Sequence, residues 1–215
     1  MFYLNYLREG MTVFDVGANV GEMTLLFSRF VGAGKIHAFE PSEKCFARLS
    51  TVCAAAGRRN VVLNRRAVTE QAGAVRLHVY DDDHLSWNSI AQRPLANYGI
   101  NIMPPTIEEV SATTLDSYCD EHRIERIDLL KIDTEGAEYQ VMLSARRLLG
   151  ERRIRCLTFE FGQTTFDMGN SPREIERYLG EMNYRVRNLV AGDPVFPGSA
   201  NVGSACFSMH VATPR

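Results

Sequence analysis

The sequence predicts an α/β protein with a mostly parallel sheet, helices on both of its faces, and a closing antiparallel pair of strands. Three observations carry this prediction. Short apolar runs alternate with stretches of helical periodicity along the chain. Such alternation places parallel strands side by side with crossover helices covering both faces. The last two apolar runs have only a Gly/Pro loop between them, and a parallel pair would need a crossover.

The elements follow in order. "TVFDV" reads as the first strand. "NVGEMTLLFSRFVG" carries Val20, Met23, Leu26, Phe27 and Phe30 at helical spacing and stops at Gly32. "KIHAFE" is the second strand. "SEKCFARLSTVCAAAG" is a helix with Ser42 as N-cap and Gly57 past its end. "NVVLNRRAV" is the third strand, and "GAVRLHVY" alternates as an extra one. Residues 81–106 form the one long irregular segment, holding Trp87, Pro94, Pro104 and Pro105. A connection of that length is functional or mobile. "TTLDSYCDEH" is a short helix, "IDLLKID" a strand, "AEYQVMLSARRLLG" a helix and "IRCLTFEF" a strand. "SPREIERYLGEMN" is a helix with Pro172 in its first turn. "YRVRNLV" and "SACFSMHVA" are the closing strands.

With 215 residues, 45% of them hydrophobic, residues 1–215 are expected to form a single domain with a full core. The formal net charge of −2 gives no global positive field, which argues against nucleic acid or an anionic membrane as partner. Lysine occurs only at Lys35, Lys44 and Lys131; the arginine pairs, such as Arg58-Arg59 and Arg152-Arg153, read as solvated faces rather than an anion patch. The cysteines Cys45, Cys53, Cys119, Cys156 and Cys206 form no Cys-x-x-Cys pair, so neither a disulfide framework nor a zinc site is expected. No signal peptide or membrane span is read, and a cytoplasmic location is the expectation. The first motif begins so early that a longer parent chain stays open.

Ligands of such sheets bind beyond the carboxyl ends of the strands, where strand order reverses. The first turn, "DVGANVG", is Asp-x-Gly-x-x-x-Gly, not the Gly-x-Gly-x-x-Gly of a dinucleotide site. Gly17 allows a close ligand approach, and Gly21 tight packing of helix on strand. Asp15 would repel a pyrophosphate and suits a positively charged ligand. Glu40 ends the second strand, about 20 residues on, where a ribose diol is gripped. Together the two acids describe a nucleoside with a cationic tail, and S-adenosylmethionine meets that description.

"VFDVGANVGEMTLLFS", "IHAFEPSEKCFARL", "TTLDSYC", "IDLLKIDTEGAEYQVMLSARRLL" and "LTFEF", in that order, resemble the FkbM family of S-adenosylmethionine-dependent methyltransferases. The resemblance runs from about residue 10 to about residue 161. It implies the Rossmann-like class I methyltransferase fold, with a seven-stranded sheet and a C-terminal antiparallel hairpin. It implies S-adenosylmethionine as cofactor and O-methylation of a sugar, glycolipid or secondary metabolite. Carried over by position, Asp15, Gly17, Ala18, Asn19 and Gly21 would surround the methionine part. Thr24 would support the turn, and Glu40, beside Pro41, would hold the ribose. Arg66, Ala67 and Val68 would lie near the adenine; an acid common there is missing from "RRAV", so the backbone would make that contact.

The "KIDTEGAE" turn gathers Asp133, Glu135 and Glu138 at one strand end, with Lys131 two residues back on the same side of the strand as Asp133. Asp133 is placed to face the cofactor. Methyl transfer to a hydroxyl is largely positioning, but the alcohol must lose a proton, and a carboxylate within reach would take it. Asp133 or Glu135 is read as that base, the other orienting the acceptor. Glu160 ranks second; Glu138 answers equally to the helix dipole. His84 is a rival base, and Trp87 and Ser89 suit a substrate lid, with a small molecule or glycan as the partner. Asp81, Asp82 and Asp83 read as solvated, and no metal is expected. Three other readings stand beside this one: an amine or protein acceptor, a binding module without turnover, and a nicotinamide oxidoreductase disfavoured by the missing middle glycine.

Overall fold

The computed structural model describes residues 2–190 and 208–215. Its main sheet contains β1 (Thr12–Val16), β2 (Lys35–Phe39), β3 (Val61–Asn64), β7 (Leu129–Ile132), β8 (Leu157–Phe161), β9 (Tyr184–Asn188) and β10 (Ser208–Pro214), in the order β3-β2-β1-β7-β8-β10-β9. The pairs are parallel except β10, which runs antiparallel to both β8 and β9. The sheet and its closing hairpin are those the alternation predicts. The loop expected between β9 and β10 and the first residues of "SACFSMHVA" lie outside the described residues.

The centre of the sheet is buried on both faces and, apart from Asp15 and Lys131, mostly apolar, as buried parallel strands require. Val13, Phe14 and Val16 of β1 and Leu129, Leu130 and Ile132 of β7 are all buried, each contributing about 1.5–3 kcal/mol of transfer free energy. The covering helices are α1 (Phe2–Tyr6), α2 (Glu22–Phe30), α3 (Glu43–Ala55), α4 (Leu115–Glu121), α5 (Glu138–Ser144), α6 (Arg146–Gly150), α7 (Gln163–Asp167) and α8 (Pro172–Glu181). Strand order reverses between β1 and β7, so their carboxyl ends open the crevice where ligands bind.

Five local expectations are corrected. The single strand read through "NVVLNRRAV" breaks at Arg65 and Arg66, and its end, β4 (Ala67–Val68), joins a second sheet. That sheet, β4-β6-β5, gives the extra strand, β5 (Gly73–Val79), its partner: β6 (Thr106–Thr113), a strand not predicted at all. "TIEEVSAT" was obscured because it buries only one end, at Val110 and Ala112, while Ile107 is exposed. The irregular segment contains two short 3₁₀ turns, Asp82–Trp87 and Leu95–Tyr98. The helix expected over 137–150 is two, broken at Ala145, and α7 was not foreseen. α8 begins with Pro172 and a capping box in which Ser171 and Glu174 exchange bonds. Among the described residues no helix is long and apolar enough to cross a membrane.

Candidate active site

The site begins with the backbone of two adjoining turns. Gly17 holds φ +80°, and a Cβ there would sit 1.7 Å from the carbonyl oxygen of Asp133. No other residue fits while the β1 and β7 turns nest this closely. Gly21, at φ +96°, lies where a Cβ would strike Leu49 of α3. The amides of Gly17 and Ala18 both donate to Phe39 O at 3.0 Å, tying the first turn to the end of β2. Asn19, at φ +46°, donates its amide to Glu40 Oε2 at 2.9 Å. The Ser42 amide donates to Glu40 Oε1 at 3.0 Å. Glu40 is thus fixed at the strand end, and burial pushes its carboxyl up to about 7.

Beneath this turn, Asp15 has no exposed surface. Thr24 Oγ1 donates to its Oδ2 at 2.5 Å, and Lys131 Nζ stands 3.1 Å from its Oδ1. The register explains the pair, since Asp15 and Lys131 are direct neighbours across β1 and β7. Lys131 Nζ also stands 3.3 Å from Asp133 Oδ2 and donates to Gly17 O at 3.0 Å. Burial works against the Lys131 ammonium, but Asp15 and Asp133 outweigh it and hold its pKa above the ordinary lysine value. The positive charge facing Asp15 is therefore the protein's own.

Three carboxylates converge beyond Lys131. Oxygens of Asp133, Glu135 and Glu160 lie within 4.8 Å of one another, close enough to surround a cation, a convergence the sequence did not disclose. Burial, with Asp133 and Glu160 alongside, pushes Glu135 up to about 8. Burial, then Asp133 and Glu138, pushes Glu160 up to about 7. Glu138 is used differently. It is fully buried, and its Oε1 accepts from the Thr134 amide, the Thr134 hydroxyl and the Gly136 amide at 3.0–3.1 Å. That tie shapes the turn holding Glu135, which sits at φ +53°.

A cavity partly open to solvent runs between these turns and the second sheet. Of the sequence-predicted residues, Gly17, Asn19, Glu40, Pro41, Arg66, Ala67, Val68, Ser89, Asp133 and Glu135 line it. Asp15, Ala18, Gly21 and Thr24 support it from behind, and Glu160 joins it through the carboxylate cluster. His84 and Trp87 do not line it; they pack on each other at 4.6 Å, and His84 Nδ1 pairs with Asp81. Sequence reading missed the apolar wall of Leu77, Leu85 and Ile90, and it missed Arg93 and Asp167. The signal for Arg93 was present: it is the sole Lys or Arg between residues 81 and 106, beside the only tryptophan.

The residues fit S-adenosylmethionine. Asn19 Oδ1 is buried against the cavity without a hydrogen-bond partner, and Glu40 offers further lone pairs beside it. The donor set is carboxylate-rich, which suits a diol and a cationic tail and opposes a pyrophosphate.

A seven-stranded sheet of this order, with its reversed last strand and a crevice at the β1/β7 switch point, defines the class I methyltransferase fold. Residues 15–186 match the family described as the methyltransferase FkbM domain. The chain is 35% identical over 216 residues to the 31-O-demethyl-FK506 methyltransferase FkbM of Streptomyces tacrolimicus, covering 90% of this chain and 79% of that protein. The chain belongs to the FkbM methyltransferase family, and its cofactor is S-adenosylmethionine. Solved structures share the fold. A methyltransferase FkbM from Methylobacillus flagellatus superposes with TM-score 0.59 at 12% identity, over 99% of this chain and 49% of that one. Aeropyrum pernix fibrillarin with natively bound S-adenosyl-L-methionine superposes with TM-score 0.51 at 16% identity, over 97% and 68%.

Proposed function

We propose that this methyltransferase acts on oxygen, moving a methyl group to a hydroxyl of a sugar, glycolipid or natural product. The observation that carries the reading is Glu135: a half-buried carboxylate on the wall of the same cavity as Glu40, crowded by Asp133 and Glu160 and pushed up to about 8 by burial and by those neighbours. A general base works best when its pKa lies near the working pH. The name of the Streptomyces relative, 31-O-demethyl-FK506 methyltransferase FkbM, agrees with methylation on oxygen.

Bound S-adenosylmethionine would supply a methyl group already activated on a sulfonium. In this reading the chain's own residues do the rest. Glu40 accepts from the ribose hydroxyls, and Asn19 Oδ1 takes a polar group of the cofactor. Val68, Leu77, Leu85 and Ile90 form the slot for the adenine. Asp133, held by Lys131, orients the acceptor hydroxyl. Glu135 takes the hydroxyl proton and becomes neutral as the bond to oxygen forms, with Glu160 beside it in the cluster. No nucleic acid and no membrane span enters this reading, and the chain works as one domain in the cytoplasm.

The carboxylate cluster also favours a second reading, an amine acceptor held as a cation among Asp133, Glu135 and Glu160. Incubation with isotopically labelled S-adenosylmethionine and panels of hydroxyl and amine acceptors separates the two. Label in hydroxyl products, lost in Glu135→Gln, supports O-methylation. Label only in amine products overturns it. Binding of S-adenosylmethionine with transfer to neither panel would favour a module without turnover.

A further inference from the structure

Arg93 lies in the irregular segment, far from every motif, yet it reaches the carboxylate cluster. Its side chain retains 8% of its exposure. Nη1 stands 3.9 Å from Glu135 Oε2, and Nε stands 3.8 Å from Asp167 Oδ2 of α7. The guanidinium carbon lies 5.3 Å over the Trp87 ring. Both acid contacts are charge contacts too long for hydrogen bonds, and Arg93 Nε and Asp167 Oδ2 are buried without a hydrogen-bond partner. A buried guanidinium with unfilled donors is costly unless opposite charges surround it. Here partners from three elements hold it in place.

The same segment is tied to the catalytic turn a second time. Ser89 Oγ donates to Glu135 O at 2.7 Å. The segment therefore grips Glu135 at its backbone and its carboxylate together. The other charged groups around Glu135 are Asp133 at the end of β7, Glu160 on β8 and Glu138 at the start of α5. All three are acids. Lys131, the other cation in the region, is engaged by Asp15 and Asp133. Arg93 is thus the cation that faces the Glu135 carboxylate.

We propose that Arg93 is a positioning residue for proton transfer: it holds the Glu135 carboxylate at the cavity wall and favours its charged form, coupling the irregular segment to the base. This rests on the reading of Glu135 as base. Asp167 and Trp87 complete the device, Asp167 by sharing the guanidinium charge and Trp87 by fixing its plane.

The test is a carboxyl-carbon NMR titration of Glu135 in the full chain, its signal assigned by its loss in Glu135→Gln. In Arg93→Gln the Glu135 midpoint should rise by about one pH unit or more, the low end of what a partner charge at this range does. In Arg93→Lys, which keeps the charge, it should return most of the way. In Asp167→Asn, which leaves more of the Arg93 charge for Glu135, it should fall, and this variant decides the matter if Arg93→Gln does not fold. An unmoved midpoint in folded Arg93→Gln, or in folded Asp167→Asn where the former does not fold, overturns the proposal. The titration needs no turnover, so it stands apart from the base reading: a moved midpoint with full methyl transfer by Glu135→Gln would keep the coupling and discard the base.

Discussion

The two walls of the cavity are built by different means. The cofactor wall, residues 16–19 with 39–41, is almost all backbone: turns at strand ends, amides donating to Phe39 O, and one glutamate gripped by two amides. The opposite wall rests on side chains, with Asp133 and Glu135 lining it and Glu160, Arg93 and Asp167 behind them, arriving from four places in the chain. The first wall is fixed by the nesting of strands and resists any change of shape. The second is a balance of charges, and its protonation state follows the pH. Affinity should therefore live on one wall and rate on the other.

The strongest blow to this comparison falls on the backbone wall. Gly17→Ala puts a methyl against Asp133 O, and we expect a loss on the order of 3 kcal/mol in urea unfolding, with no S-adenosylmethionine binding by calorimetry. Next comes Glu135→Gln, expected to lower kcat about 10²–10⁴-fold while leaving S-adenosylmethionine affinity within a fewfold of the original. Glu40→Ala removes a charged acceptor; at about 1.5–3 kcal/mol for a hydrogen bond to a charged group, calorimetry should find S-adenosylmethionine at least tenfold weaker.

The smallest effect is on stability. Burial pushes the Glu40, Glu135 and Glu160 carboxyls up to about 7, 8 and 7, above the ordinary value for a free glutamate. Between pH 5 and 8 these three groups bind more protons in the folded chain than in the unfolded one, so their contribution to stability falls as pH rises, offset in part at the acid end by His37, which burial lowers to about 4. Thermal unfolding should show a lower Tm at pH 8 than at pH 5.5. Glu135→Gln should flatten the slope, and an unchanged slope would count against the buried titration of Glu135.

What the sequence disclosed follows the same division. Gly17, Glu40 and Asp133 were legible because each stands where an apolar run meets a turn, and the order of strands alone sets their distances. Asp15 was legible as a special acid but misread in its partner, since the pairing with Lys131 depends on the register of β1 against β7. Glu138 looked like a site acid; the structure folds it back on Thr134 and Gly136. Arg93 stood out only as the sole cation of its segment, and its pairing with Asp167 was invisible, because 74 residues and several crossovers separate the two. β6 was hidden for a related reason: its partner β5 lies across a long connection, and neither strand is apolar enough to announce the pair.

One paired measurement tests the division most directly: the S-adenosylmethionine Kd by calorimetry and kcat at saturating cofactor, for Glu40→Ala and Glu135→Gln side by side, using a hydroxyl acceptor from the panel. The account predicts opposite losses, with Glu40→Ala weakening binding at least tenfold and sparing kcat, and Glu135→Gln sparing binding and losing kcat. Equal losses of binding in both variants, or a kcat untouched by Glu135→Gln, would contradict it.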